Sequence, residues 1–242
     1  MLIRGIRVIG SVVLASWLTT CVVGSHAQDT RARSQIPFVG CKSDGQVGPL
    51  KSPKGTASGI ELASEVANQL AYYKAKNGFG VLAPRGWNCF SSYGSNGSNL
   101  FVSPEPISQK ELLNSEWKGF SGPAIQVSVS VGDTSGRFAV ARTIARVFPE
   151  RMDFVSNVIS EGIEPPSSFP SGPYAPDMLQ RRGKNIVEFE TPANTPGMGS
   201  QSHLAINASP IQGAAILFGE EPSLVQLSMR LPGRDQRLNR AI

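Results

Sequence analysis

Strict alternation of apolar and polar residues marks three stretches of the chain. Ile125, Val127, Val129 and Val131 alternate with Gln126, Ser128 and Ser130; Val187 and Phe189 with Glu188 and Glu190; Val225, Leu227, Met229 and Leu231 with Gln226, Ser228 and Arg230. A period of two predicts strands with one buried and one wet face, which belong to antiparallel sheet rather than to parallel sheet covered on both sides. Ala214 to Phe218 is apolar throughout and reads as a central strand. Gly80 to Trp87 and Asn99 to Ser103, joined by a polar loop, read as a hairpin.

Other stretches carry a helical period. Ser58 and Glu61 form a capping-box pattern, and Leu62, Val66, Leu70 and Tyr73 follow at helical spacing until Asn77-Gly78. Phe138, Ala141, Ile144 and Ala145 make a second stripe. Pro149 cannot continue it, and Met152, Val155 and Ile159 begin a third that Gly162 ends. A short helix is expected from Arg234. The fold class that follows is α+β, a mostly antiparallel sheet with helices packed on one face.

The first 27 residues read as a secretory signal peptide. Arg4 and Arg7 precede an apolar run from Val8 to Leu18, and Ser25 and Ala27 are the small residues before cleavage. The run is too short and too interrupted for a membrane anchor, so none is expected after cleavage. Cys21 after Thr20 offers lipoprotein processing as the alternative, although such sites favour a smaller residue than threonine there. Residues 28–57 form an extended, turn-rich lead-in, and 58–242 a single α+β domain. The expected location is the periplasm or the exterior.

Cleavage removes two of the 23 basic residues and none of the 18 acids, leaving a charge of +3. That mild balance, without large basic clusters, implies no nucleic-acid partner. Cys41 and Cys89 remain as an even pair in an oxidising space, where a disulfide is the default. The competing reading is a reactive thiol. It needs a base, and His203 is the one imidazole in the mature chain.

Little in the sequence carries chemistry. One histidine and two paired cysteines cannot build a zinc centre, and no dinucleotide or phosphate loop occurs, so no metal and no cofactor are expected. A serine hydrolase would have to use His203 in the loop 192–210, yet no Gly-x-Ser-x-Gly elbow supplies a nucleophile, and a loop histidine is ordinarily solvated. Ser115-Glu116-Trp117-Lys118 matches Ser-x-x-Lys without its companion elements. Glu188 and Glu190 share one strand face at about 6.6 Å between Cα atoms, a spacing that glycosidases use, on a face that alternation predicts to be wet. Trp87, Phe90, Tyr93 and Asn96 lie in or beside a Ser/Gly/Asn-rich stretch that resembles a binding loop in composition. The same stretch also reads as a hairpin turning at Asn96-Gly97 with its aromatic residues in the core.

The segments Phe38-Val39-Gly40-Cys41-Lys42-Ser43-Asp44-Gly45-Gln46, Val81-Leu82-Ala83-Pro84-Arg85-Gly86-Trp87-Asn88-Cys89 and Phe189-Glu190-Thr191-Pro192-Ala193-Asn194 resemble a family of exported bacterial proteins of unassigned activity. The Pro-x-Gly-Trp opening, the mid-chain helix pair and the ending Arg230-Leu231-Pro232 are similar to the PsbP/Mog1-type α/β sandwich. The first resemblance implies export, the second a fold, and neither transfers a functional residue. The expected function is an exported, non-catalytic binding or accessory module with an unknown ligand or envelope partner. The alternative is a secreted hydrolase using His203 or the Glu188/Glu190 pair.

Overall fold

The computed structural model describes residues 36–242 except 108, 113 and 115. The signal peptide expected over 1–27, Cys21, the start of the lead-in and Ser115 of the Ser-x-x-Lys match lie outside the described residues.

Two sheets stack. The smaller contains β1 (Phe38–Gly40), β3 (Leu70–Lys74) and β4 (Val81–Pro84), in that order. The larger contains β2 (Lys42–Gly45), β5 (Asn88–Gly94), β6 (Gly97–Ser103), β7 (Ala124–Ser130), β8 (Met178–Arg181), β9 (Ile186–Thr191), β10 (Ile211–Phe218) and β11 (Ser223–Arg230). They are arranged β2-β5-β6-β7-β11-β10-β9-β8, antiparallel except where β2 joins β5. The helices are α1 (Ser64–Ala67), α2 (Gln109–Leu112), α3 (Arg137–Val147) and α4 (Met152–Ser160), with a 3-10 turn over Pro149–Arg151 between the last two. The α+β class therefore holds, and Pro149 and Gly162 act as stops where the sequence places them.

Register explains how the core divides. β7 and β11 pair Val127 with Leu227 and Ile125 with Met229, putting four apolar side chains on one face. The small sheet covers that face with Leu70, Tyr73, Val81 and Ala83, all buried. Farther along, β9, β10 and β11 bury the opposite face: Val187, Phe189, Ala215, Leu217 and Leu224 pack under Val140, Ile144 and Phe148 of the α3 segment and Val155 of α4. The two long helices occupy one face of the large sheet and a second sheet occupies part of the other.

Three local expectations are corrected. The helix expected from Ser58 to Tyr73 is reduced to α1, and Leu70 and Tyr73 belong to a strand. Strand β3 is the middle of the small sheet, so β1 and β4 both satisfy its backbone, and Tyr73, buried completely, donates its hydroxyl to the Pro84 carbonyl at 2.8 Å. That burial raises the phenol pKa. Long-range pairing overrides a four-residue apolar spacing that fits either element.

The hairpin is also shifted. Val81–Pro84 joins the small sheet, the polar stretch from Asn88 is itself β5, and Gly94 pairs with Gly97 across a Ser95-Asn96 turn. Gly97 (φ 141°) lies so close to strand β7 that an added Cβ would fall 1.8 Å from the Val129 carbonyl oxygen. Finally, the C-terminal helix is a 3-10 turn, Gly233–Leu238, which drops Leu238 into the core.

Residues 36–57 supply β1 and β2, one strand to each sheet. Between them, Cys41 is disulfide-bonded to Cys89 of β5, with Cα atoms 5.4 Å apart. Among the described residues no helix is long and apolar enough to cross a membrane.

Candidate functional site

The polar positions of β7 and β11 are expected to be wet, and they are buried instead: Gln126 is 3% exposed, Gln226 8%, Ser228 1% and Arg230 5%. Two loop segments, 117–123 and 198–207, bond to this end of the sheet and meet its polar groups. Burial of so many polar groups requires partners. Gln126 donates from Nε2 to Ser128 Oγ at 2.7 Å and to Asn99 Oδ1 at 3.2 Å, and Ser128 donates to Asn99 Oδ1 at 2.7 Å. Gln226 donates to the Met198 carbonyl at 3.1 Å.

His203 closes this network. Its backbone N–H donates to Gln126 Oε1 at 2.7 Å, and its Nδ1 lies 3.2 Å from the same oxygen. A carbonyl oxygen only accepts, so the network assigns the proton of the neutral imidazole to Nδ1. The ring stacks on Trp117 (5.5 Å between centroids, 21°) and meets Phe101 edge-on at 5.2 Å, while Trp117 meets Phe120 edge-on at 5.1 Å. The two segments are locked together because the Phe120 N–H donates to the His203 carbonyl and the Ala205 N–H to the Phe120 carbonyl. Gly119 (φ 91°) makes the approach possible; a Cβ there would stand 2.3 Å from the His203 carbonyl oxygen.

The residue as a whole is exposed, but the packed side of the ring is shielded, and this desolvation lowers the imidazole pKa from its ordinary 6.5. The folded state therefore disfavours protonation. Above pH 6.5 His203 is neutral in both states; below it the unfolded chain binds the proton first, so stability declines as pH falls and levels off beneath the folded pKa. Urea denaturation between neutral and mildly acidic pH is expected to show this decline in the parent, with a smaller one in His203→Asn.

Arg230, the last residue of β11, holds the same loops from the far side. Its guanidinium donates to the carbonyls of Phe120 at 3.1 Å, Gly122 at 3.5 Å and Ala205 at 2.5 Å. Its Nε has no partner, and no carboxylate among the described residues pairs with it. Burial lowers its pKa, yet an arginine remains charged at neutral pH.

Two clefts flank the loop Ser121-Gly122-Pro123. One, of about 210 Å³, is lined by Ser209, Gln212, Arg230, Pro232 and Asn239. The other, of about 190 Å³, is lined by Ser103, Glu105, Ile107, Trp117 and Phe120. Pockets this small suit small ligands or single side chains.

Of the residues singled out in the sequence, only His203 belongs to this assembly. Glu188 and Glu190 share one face of β9 as expected. Glu188 is ion-paired with Arg182 at 3.0 Å, and Glu190 accepts from Gln212 at 2.6 Å. Trp87 packs against the core beneath the small sheet. Phe90 and Tyr93 point to opposite faces of β5, Tyr93 donating to the Gly48 carbonyl at 2.6 Å, and Asn96 is exposed in the turn. These four do not converge. Trp117, Phe120, Gln126, Arg230 and Asn239 were missed. The available signal was an arginine among the uncharged polar positions of the alternating β11 run; the Gly/Pro-rich segment 119–123 that it meets lies far from it in the chain. Among the described residues no group of three metal-ligating side chains occurs.

No family model, no curated protein and no solved structure matches the chain.

Proposed function

We propose that the protein is an exported, non-catalytic binding or accessory module of the cell envelope or extracellular space, with its ligand site at the clefts beside loop 121–123. One observation carries this reading. His203, the imidazole that hydrolase chemistry would require, has its Nδ1 edge on the Gln126 amide and its ring between Trp117 and Phe101, so what it touches is a structural network rather than a hydroxyl nucleophile or an orienting carboxylate. The other catalytic candidates of the sequence are likewise engaged: both cysteines in the disulfide, Glu188 with Arg182 and Glu190 with Gln212.

Export is supported by the basic-apolar-small leader, by the disulfide, which persists in oxidising compartments, and by the resemblance to exported bacterial proteins. Intact mass of the protein recovered from the periplasm or medium tests it. The expected N-terminus is Gln28, with no alkylation of cysteine under non-reducing denaturing conditions. A chain retaining Met1, or one with both thiols labelled, would contradict export. The catalytic alternative is tested by replacing His203 and assaying for loss of turnover.

A further inference from the structure

The chain contains two Asn-Gly dipeptides, Asn77-Gly78 and Asn96-Gly97. In such a pair the glycine nitrogen, unhindered by a Cβ, is able to attack the asparagine carboxamide when its N–H is not held elsewhere. The fold treats the two differently. Asn96 is exposed in the turn that joins β5 to β6 and Asn77 is half-buried, so exposure alone would single out Asn96. Its glycine, however, is held in the ladder. The Val131 N–H donates to the Asn96 carbonyl at 3.1 Å, so residue 96 bonds on the β7 side, and Gly97, next along the strand, turns its N–H to its partner Gly94 of β5. Asn77-Gly78 lies instead in the irregular bend between β3 and β4. Among the described residues nothing accepts from the Gly78 N–H and nothing bonds the Asn77 carboxamide; Gly78 is tied down through its carbonyl, which accepts from Lys74 Nζ at 2.6 Å.

We infer that Asn77 is a modification site, converted spontaneously to aspartyl and isoaspartyl forms, while the hairpin protects Asn96. The Gly78 nitrogen bonds to Asn77 Cγ and the Cγ–Nδ2 bond breaks; the amide proton leaves with Nδ2 as ammonia and a cyclic succinimide closes. Water then adds to either ring carbonyl and breaks its bond to the ring nitrogen, giving aspartate or the isoaspartyl link with no change of oxidation state. The conversion falls where the β3–β4 loop is seated on the large sheet. A Cβ on Gly78 would stand 2.4 Å from Ser98 Oγ of β6, and the adjacent Phe79 meets Phe218 of β10 edge-on at 5.7 Å. The isoaspartyl link lengthens the backbone at this seat, and either product adds a negative charge next to Lys76 in the chain. The site is independent of the binding reading above.

The test incubates the mature, disulfide-bonded chain at mildly alkaline pH beside a reduced, urea-unfolded sample, and follows both by trypsin digestion and mass spectrometry. Cleavage after Lys76, Arg85 and Lys110 puts Asn77 and Asn96 in separate peptides. In the folded chain Asn77 is expected to convert at least about tenfold faster than Asn96, because Gly97 must first leave the ladder; in the unfolded chain the two rates are expected to converge to within about threefold. Asn77→Gln is expected to abolish conversion in its own peptide and leave that of Asn96 unchanged. The isolated isoaspartyl form is expected to exchange its amide hydrogens at 78–80 faster than the parent. Two results would overturn the inference: Asn96 converting as fast as Asn77 in the folded chain, or no conversion of Asn77 there. Unchanged exchange at 78–80 would overturn the effect assigned to the loop seat.

Discussion

Replacing Cys41 and Cys89 with alanine is expected to lower the unfolding free energy by about 4 kcal/mol, the loop-closure value for a bond spanning 48 residues. For a domain of this size that corresponds to a fall of roughly 8 to 16 °C in Tm. The location argues for the full effect. Cys41 is the single residue between β1 and β2, which belong to different sheets, so its bond to β5 ties the small sheet's first strand to the large sheet where the chain crosses over. Its backbone N–H continues the β3 pairing by donating to the Lys74 carbonyl at 2.8 Å. Urea denaturation of the double variant beside the parent checks this. A loss below about 1 kcal/mol would mean that strand pairing alone fixes the crossover.

Arg230→Met is expected to cost about 3 kcal/mol, because three carbonyls of the two covering segments lose a charged donor at once while the methionine fills only the stem volume. The loss is local in origin. Loops 119–123 and 203–207 should gain hydrogen exchange well before β7 and β11, since their mutual bonds at Phe120, His203 and Ala205 remain but their anchor on the sheet is gone. Denaturation gives the magnitude and exchange gives the place. An Arg230→Met protein as stable as the parent would show that the carbonyl clamp contributes nothing net.

The elements legible in the sequence are those whose signal is local. Pro149 and Gly162 bound α4 through their own backbone chemistry, and the alternation of β7, β9 and β11 marks each of them as a strand, although only in β9 does it follow the observed burial. What was hidden depends on distant chain. β3 is a strand because β1 and β4 flank it, and its own spacing of Leu62, Val66, Leu70 and Tyr73 fits a helix equally well. β8 has four exposed residues at the sheet edge and therefore no apolar pattern to read. The candidate site was hidden for the same reason. Alternation put Gln126 on the polar side of β7 and Ser228 and Arg230 on that of β11 and predicted both sides to be wet; pairing of the two strands brings those sides together, and their burial is imposed by irregular loops that periodicity cannot register. His203 was legible as the one usable imidazole; its partner Gln126, 77 residues away, was not.

The proposal that this chain binds rather than catalyses stands or falls on His203. Parent and His203→Ala proteins, both as the mature disulfide-bonded chain, are assayed on a panel of ester, peptide and glycoside substrates, with Glu188→Gln/Glu190→Gln alongside for the carboxylate alternative. Because His203 bonds the network partly through its backbone N–H, the alanine variant keeps that bond and is expected to fold with only a small loss of stability. The predicted result is no turnover above background by any of the three proteins. Turnover by the parent that collapses by several orders of magnitude in His203→Ala, or in the double glutamine variant, would contradict the binding-module account and establish the hydrolase in its place.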